Sequence, residues 1–150
     1  MTTPTIFSDV ASNPFIAKGE PQGNLSEKTV TTVPAATAVD TVIGIHRFEP
    51  GYSLVALDLS VDGLDTGATM TLDIGYVYDN GGSEVLDAFF DGLTEGQAGG
   101  SVFWPQGTGA KLVGESFVAT DCGYLAVIIR DAVTDTEGDI RAIPTFTYDL

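Results

Sequence analysis

At 150 residues the chain has room for one domain, and a domain of that size buries roughly 68–70% of the surface its unfolded form exposes, so a core is available without disulfides or metal. Six Lys and Arg against 21 Asp and Glu leave a net charge of -15 and a pI of 4.1, which repels phosphate backbones and anionic headgroups and excludes nucleic acid and anionic membrane as partners. With 43% hydrophobic and 18% charged residues, the composition is that of a folded chain rather than a disordered one.

Residues 1–39 differ from the rest. Pro4, Pro14, Pro21 and Pro34, with Gly19 and Gly23, break any period of 2 or 3.6, so this stretch reads as an extended N-terminal arm preceding a domain over residues 40–150. Its apolar residues come as separated pairs, Ile6-Phe7 and Phe15-Ile16, which suit anchoring an extended segment at spaced points on a partner. The first ten residues hold no basic region followed by an apolar run, and no later stretch approaches 18 uninterrupted apolar residues. The expectation is a product made in the cytosol, neither exported by a signal peptide nor membrane-spanning.

From residue 40 onward, β-branched and aromatic runs alternate with Gly and Asp turn signals at intervals of about 8–12 residues, as in a sandwich or barrel. Strands are expected over residues 41–48, 54–61, 69–78, 102–104, 116–119, 125–130 and 140–147. In the second, Val55, Leu57, Leu59 and Val61 face one way and Ala56, Asp58, Ser60 and Asp62 the other; in the third, Met70, Leu72 and Ile74 face inward. Glu49-Pro50-Gly51 supplies a type II turn between the first two, with Gly at the position that needs positive φ. Residues 83–93 read as the one helix, because Ser83 can cap it and Val85, Leu86, Phe89, Phe90 and Leu93 recur at spacings of 3 or 4. The glycines from Gly92 to Gly100 predict a flexible loop. The fold class is therefore all-β: a jelly-roll-like β-sandwich of seven or eight strands with one short helix and an extended arm.

Few residues invite chemistry. Asp87 and Asp91 would share one face of the expected helix and read as a solvated polar face. Asp131, Asp135, Glu137 and Asp139 crowd one loop, but their spacing does not match a calcium loop, and an ordinary acidic hairpin loop is expected. His46 is the one histidine and Cys122 the one cysteine; the first reads as a polar strand or interface residue and the second as a small buried hydrophobe. Nucleophile-elbow, phosphate-loop and zinc motifs are absent. No cofactor or metal is expected, and a binding role is favoured over an enzymatic one. Trp104, between Phe103 and Pro105, suits either an exposed aromatic anchor or the core.

Residues 41–48, the Pro50-Gly51 turn, the aspartate-ended strand at 54–62, the Thr-Leu-Asp-Ile-Gly-Tyr run at 71–76 and Asp87-Ala88-Phe89-Phe90-Asp91-Gly92-Leu93 together resemble small structural proteins of tailed bacteriophages, in particular head decoration, or cement, proteins. The resemblance covers about three-quarters of the chain as an overall pattern. It implies a clamp on the outer surface of the virion that binds the major capsid protein and itself, often as a trimer. Ile6, Phe7, Phe15, Ile16 and Trp104 would then be the partner-binding residues. The alternatives are a tail, neck or receptor-binding adaptor and, further off, a jelly-roll enzyme, for which one histidine is poor provision.

Overall fold

The computed structural model describes residues 6–7, 24–80, 84–106, 110–111 and 117–148. It is a sandwich of two sheets. The first, sheet A, orders β1 (Ile6–Phe7), β4 (Val42–Phe48), β10 (Gly123–Arg130), β6 (Thr71–Tyr78) and β7 (Val85–Leu93) side by side; β1 runs parallel to β4 and the other neighbours are antiparallel. Sheet B orders β2 (Asn24–Ser26), β11 (Gly138–Tyr148), β5 (Tyr52–Val61) and β8 (Gly100–Trp104), with β3 (Thr29–Val33) on the same edge of β11 as β2 and β9 (Phe117–Val118) beside β5. Eleven strands are thus present among the described residues, where seven or eight were expected.

The core lies between the sheets. Phe117 of sheet B sits among rings of sheet A, 4.6 Å from Tyr76, 5.5 Å from Phe48 and 5.6 Å from Phe89, and such pairs contribute about 0.5–1.5 kcal/mol each beyond their buried area. The Glu49–Tyr52 turn forms as expected: the Tyr52 N–H donates to the Glu49 carbonyl at 3.2 Å and Gly51 has φ +89°.

The period-2 reading holds for β6, where Met70 just before the strand, Leu72 and Ile74 are fully buried. It holds for only part of β5. Thr145 faces Ala56 but Phe146 faces Leu54, so Val55 is the extra residue of a bulge that resets the alternation. Leu57, Leu59 and Val61 point inward as expected, whereas Val55 is exposed and Tyr52 and Leu54 take the inner places.

The expected helix is overturned, since residues 85–93 form strand β7. Against β6, Leu72 pairs with Leu93, Ile74 with Phe90 and Tyr76 with Val85. Two residues of β6 are thus matched by three and then five of β7, and these bulges bring Phe89, Phe90 and Leu93 inward at intervals that imitate a helical stripe. A short helix, α1 (Glu95–Ala98), occupies instead the stretch read as a flexible loop. Gly75 makes room for the bulged strand: a Cβ there would lie 2.0 Å from the Val85 carbonyl oxygen.

Residues 24–33, assigned to the arm from sequence, belong to sheet B as β2 and β3. In β3 the inward residues Thr29, Thr31 and Val33 are buried; two are threonines, whose strand preference is high but whose polarity hides the inside/outside alternation.

Candidate interaction surfaces

The aromatic anchor offered by sequence is internal. Trp104, the last residue of β8, is 1% exposed, donates its indole N–H to the Lys111 carbonyl at 2.7 Å and packs edge-on against Phe89 at 5.0 Å. Its neighbour Phe103 is the exposed ring. Of the two readings for Trp104, core packing is the one realised.

Ile6 and Phe7 pair with Ile43 and Gly44 along the edge of β4, and Ile6 is half-buried against the main core. The first anchor pair is therefore seated on its own chain, extending sheet A by a parallel strand. Phe15 and Ile16 lie outside the described residues.

His46 is not a surface residue. In the β4–β10 ladder His46 faces Leu125 while Gly44 faces Ala126, so Ile45 is the extra residue of a bulge and both Ile45 and His46 are buried. The His46 ring lies 5.4 Å from that of Phe146. Nδ1 is 2.6 Å from the Arg47 carbonyl, a contact that requires the proton on Nδ1. Among the described residues Nε2 has no hydrogen-bond partner, and the Glu27 carboxylate lies 3.9 Å from it. Burial pushes the imidazole below its ordinary pKa, against a smaller upward pull from the Arg47 carbonyl, because a buried site disfavours the charged ring.

Four of the acidic side chains singled out from sequence, Asp87, Asp131, Asp135 and Asp139, are tied into hydrogen bonds. Asp87 and Asp91 are on a strand, not a helix; Asp87 pairs with Lys111 at 2.9 Å, a hydrogen bond that lowers its carboxyl pKa, and Asp91 is exposed. In the loop before β11, Asp135 accepts from the Thr66 N–H at 2.9 Å and the Thr66 hydroxyl at 2.5 Å and Asp131 accepts from Thr71, while Asp139, at the start of β11, accepts from Thr32 at 2.8 Å. Among the described residues no group of three His, Cys, Asp or Glu is placed to hold a metal ion. Cys122 is half-buried.

The arginines are equally committed. Arg47 pairs with Asp79, Arg130 with Asp40 and Asp73, and Arg141 with Asp62 and Asp139. Lys28, exposed just before β3, has no carboxylate partner among the described residues.

The outer face of sheet B is where apolar surface meets solvent. Val55, Phe103, Val118 and Ile143 are 42%, 39%, 48% and 40% exposed, four of the seven large hydrophobics so exposed among the described residues. The pairing aligns several of them. Ile143 on β11 faces Asp58 on β5, and Asp58 faces Phe103 on β8. Lys28 precedes Thr29, whose partner is Ala142, and so borders Ile143 from the β3 side. The next row holds Arg141, Ser60 and Ser101. Between the rows is a shallow depression of about 220 Å³ lined by Lys28, Asp58, Ser60, Ser101, Arg141 and Ile143. Sequence reasoning missed these residues, although Ile143, out of phase with Ile140, Ala142 and Phe146, carried the signal of an outward apolar side chain.

No protein-family model and no curated protein sequence matches the chain. Solved structures do. A chain of the capsid of Ralstonia phage GP4 aligns with a TM-score of 0.72 at 22% identity, covering 96% of this chain and 97% of that one. A chain of the cyanophage Pam1 capsid asymmetric unit gives 0.61 at 20% identity over 93% and 96%. One of the acid-stable capsid of Helicobacter pylori bacteriophage KHP30 gives 0.51 at 14% over 83% and 91%. At these identities what is shared is the fold, an all-β two-sheet sandwich, and it is shared over nearly the whole of each chain.

Proposed function

We propose that the chain is a structural protein of a bacteriophage head, of the decoration type, binding the assembled major capsid protein from outside. The observation that carries this reading is the end-to-end match to a chain of the Ralstonia phage GP4 capsid, with 96% and 97% of the two chains aligned; a chain of the same fold is part of that capsid. The surface agrees with a role in binding, with exposed apolar side chains on one sheet face and titratable groups tied into structural hydrogen bonds. A net charge of -15 suits a position facing solvent, away from packaged DNA. A protein that binds only the assembled shell stabilises it by mass action.

The test is location and copy number in purified particles, by cryo-electron microscopy with quantitative mass spectrometry against the major shell protein. Many copies at regular positions on the outer surface are expected. A few copies at one vertex would move the protein to the neck or tail, and absence from particles would end the virion reading.

A further inference from the structure

We infer that the outer face of sheet B is the surface that meets the shell protein, which seats one apolar side chain in the depression beside Ile143. This rests on the proposed function and names the face that carries it. Apolar area is the first argument. Val55 on β5, Phe103 on β8, Val118 on β9 and Ile143 on β11 open to solvent together on this face. Val39, Val85 and Val133, the other large hydrophobics so exposed among the described residues, lie in three other parts of the chain. Sheet A offers no rival, because its outer apolar cluster is already 5% exposed or less.

Charge is the second argument, since the acidic excess of the chain is missing from this face. Its outward charged side chains are Lys28 and Arg141 against Asp58, Asp62 and Asp139, and β8 and β9 carry none. The rest of the described chain holds three basic residues against fourteen acidic ones. Burying the acidic remainder would strand carboxylates without partners, whereas a nearly neutral apolar face loses little when water leaves it.

The occupant is a foreign surface. Two chains of net charge -15 repel each other, and a two-fold axis along β11 would stack Arg141 on Arg141 and Asp139 on Asp139, so the face does not match a second copy. Arg141 is held by Asp62 and Asp139 at 2.9 and 3.3 Å. Lys28 and Asp58, which make no ion pair among the described residues, stand on either side of Ile143. The shell surface that fits therefore presents one large apolar side chain between an acidic group facing Lys28 and a basic group facing Asp58. The depression of about 220 Å³ admits that side chain, and the flanking contacts exclude water around it. Apolar area, not net charge, holds this contact, so salt changes it little; a basic surface drawn to the acidic remainder would be released by salt.

Hydroxyl-radical footprinting of the full chain, free and on purified particles, reads each exposed side chain by mass spectrometry. On particles Val55, Phe103, Val118 and Ile143 lose most of their reactivity, while Val39, Val85 and Val133 keep theirs. Ile143→Asp weakens rebinding to shells prepared without the protein by at least about tenfold, Lys28→Glu weakens it less, and Val133→Asp leaves it unchanged. The footprint of the parent needs no variant, so a variant that fails to fold does not decide the matter. A particle-bound chain whose four sheet B residues stay reactive overturns the inference and leaves the proposed function standing. Protection of the same four in concentrated free protein assigns the face to a second copy and overturns it as well, as does release of the bound chain by moderate salt. Absence of the chain from particles overturns the proposed function and this inference together.

Discussion

The two sheets of the sandwich treat their outer faces in opposite ways. On sheet A, Val42, Val77, Ala126 and Ile128 form a second apolar cluster on the side away from the main core, 5% exposed or less, with Leu86 and Tyr124 packed against it. Beside it, buried Asp73 accepts hydrogen bonds from the Gly92 N–H and from Arg130. On sheet B, the corresponding face holds Val55, Phe103, Val118 and Ile143 open to solvent beside Lys28 and Asp58, which make no ion pair among the described residues. A face that is closed, with its charges matched internally, has little left to offer a partner. The open face keeps apolar area and charge in reserve, and that is what a docking surface requires.

This contrast can be broken from the closed side first. Gly75→Ala drives a methyl group into the Val85 carbonyl and must push β7 off β6; overpacking of a site with no room to relax costs about 3 kcal/mol. Chemical denaturation of the variant should show that loss. A weaker perturbation is acid. Because burial lowers the folded pKa of His46 below its ordinary 6.5, the unfolded chain takes up the proton first. Stability contributed by the neutral ring is therefore complete above pH 6.5 and is lost as pH falls below it, with a slope of at most about 1.4 kcal/mol per pH unit. Denaturation midpoints between pH 6.5 and 5 should fall for the parent and fall less for His46→Gln. The smallest effect belongs to the open face, where Val118→Thr, at 48% exposure, should change stability by no more than about 0.5 kcal/mol. A large loss there would mean that the face is not open, and the comparison between the sheets would fail.

How far these features could be read from sequence depends on whether the local pattern survived folding. The fold class was legible, and so were β6 and the Glu49–Tyr52 turn, because a strict alternation and a Pro-Gly pair each have one physical meaning. Strand β7 was not, because its bulges replaced a period of 2 with steps of 3 and 4, the period that defines a helix. Strand β3 escaped because its buried positions are threonines. The burial of His46 follows from one extra residue, Ile45, in a ladder whose partner is far away in sequence. Of the expected partner-binding residues, Trp104 turned inward and Ile6 lies on its own sheet, whereas the surface row around Ile143 depends on register between strands that no local pattern reveals.

The place of β11 in sheet B has a kinetic consequence. Strands β2, β3 and β5 all hydrogen-bond to it, and its contact with β3 joins residues 113 positions apart, as between Thr29 and Ala142. Closing so long a loop gives no return until the strand arrives, which places folding on the millisecond-to-second scale of β-rich domains. During synthesis, β2, β3 and β5 wait with unsatisfied edges until residues 138–148 have left the ribosome. The outer face of sheet B cannot exist before then, so the chain acquires its stickiest surface only after the rest of the domain has been made.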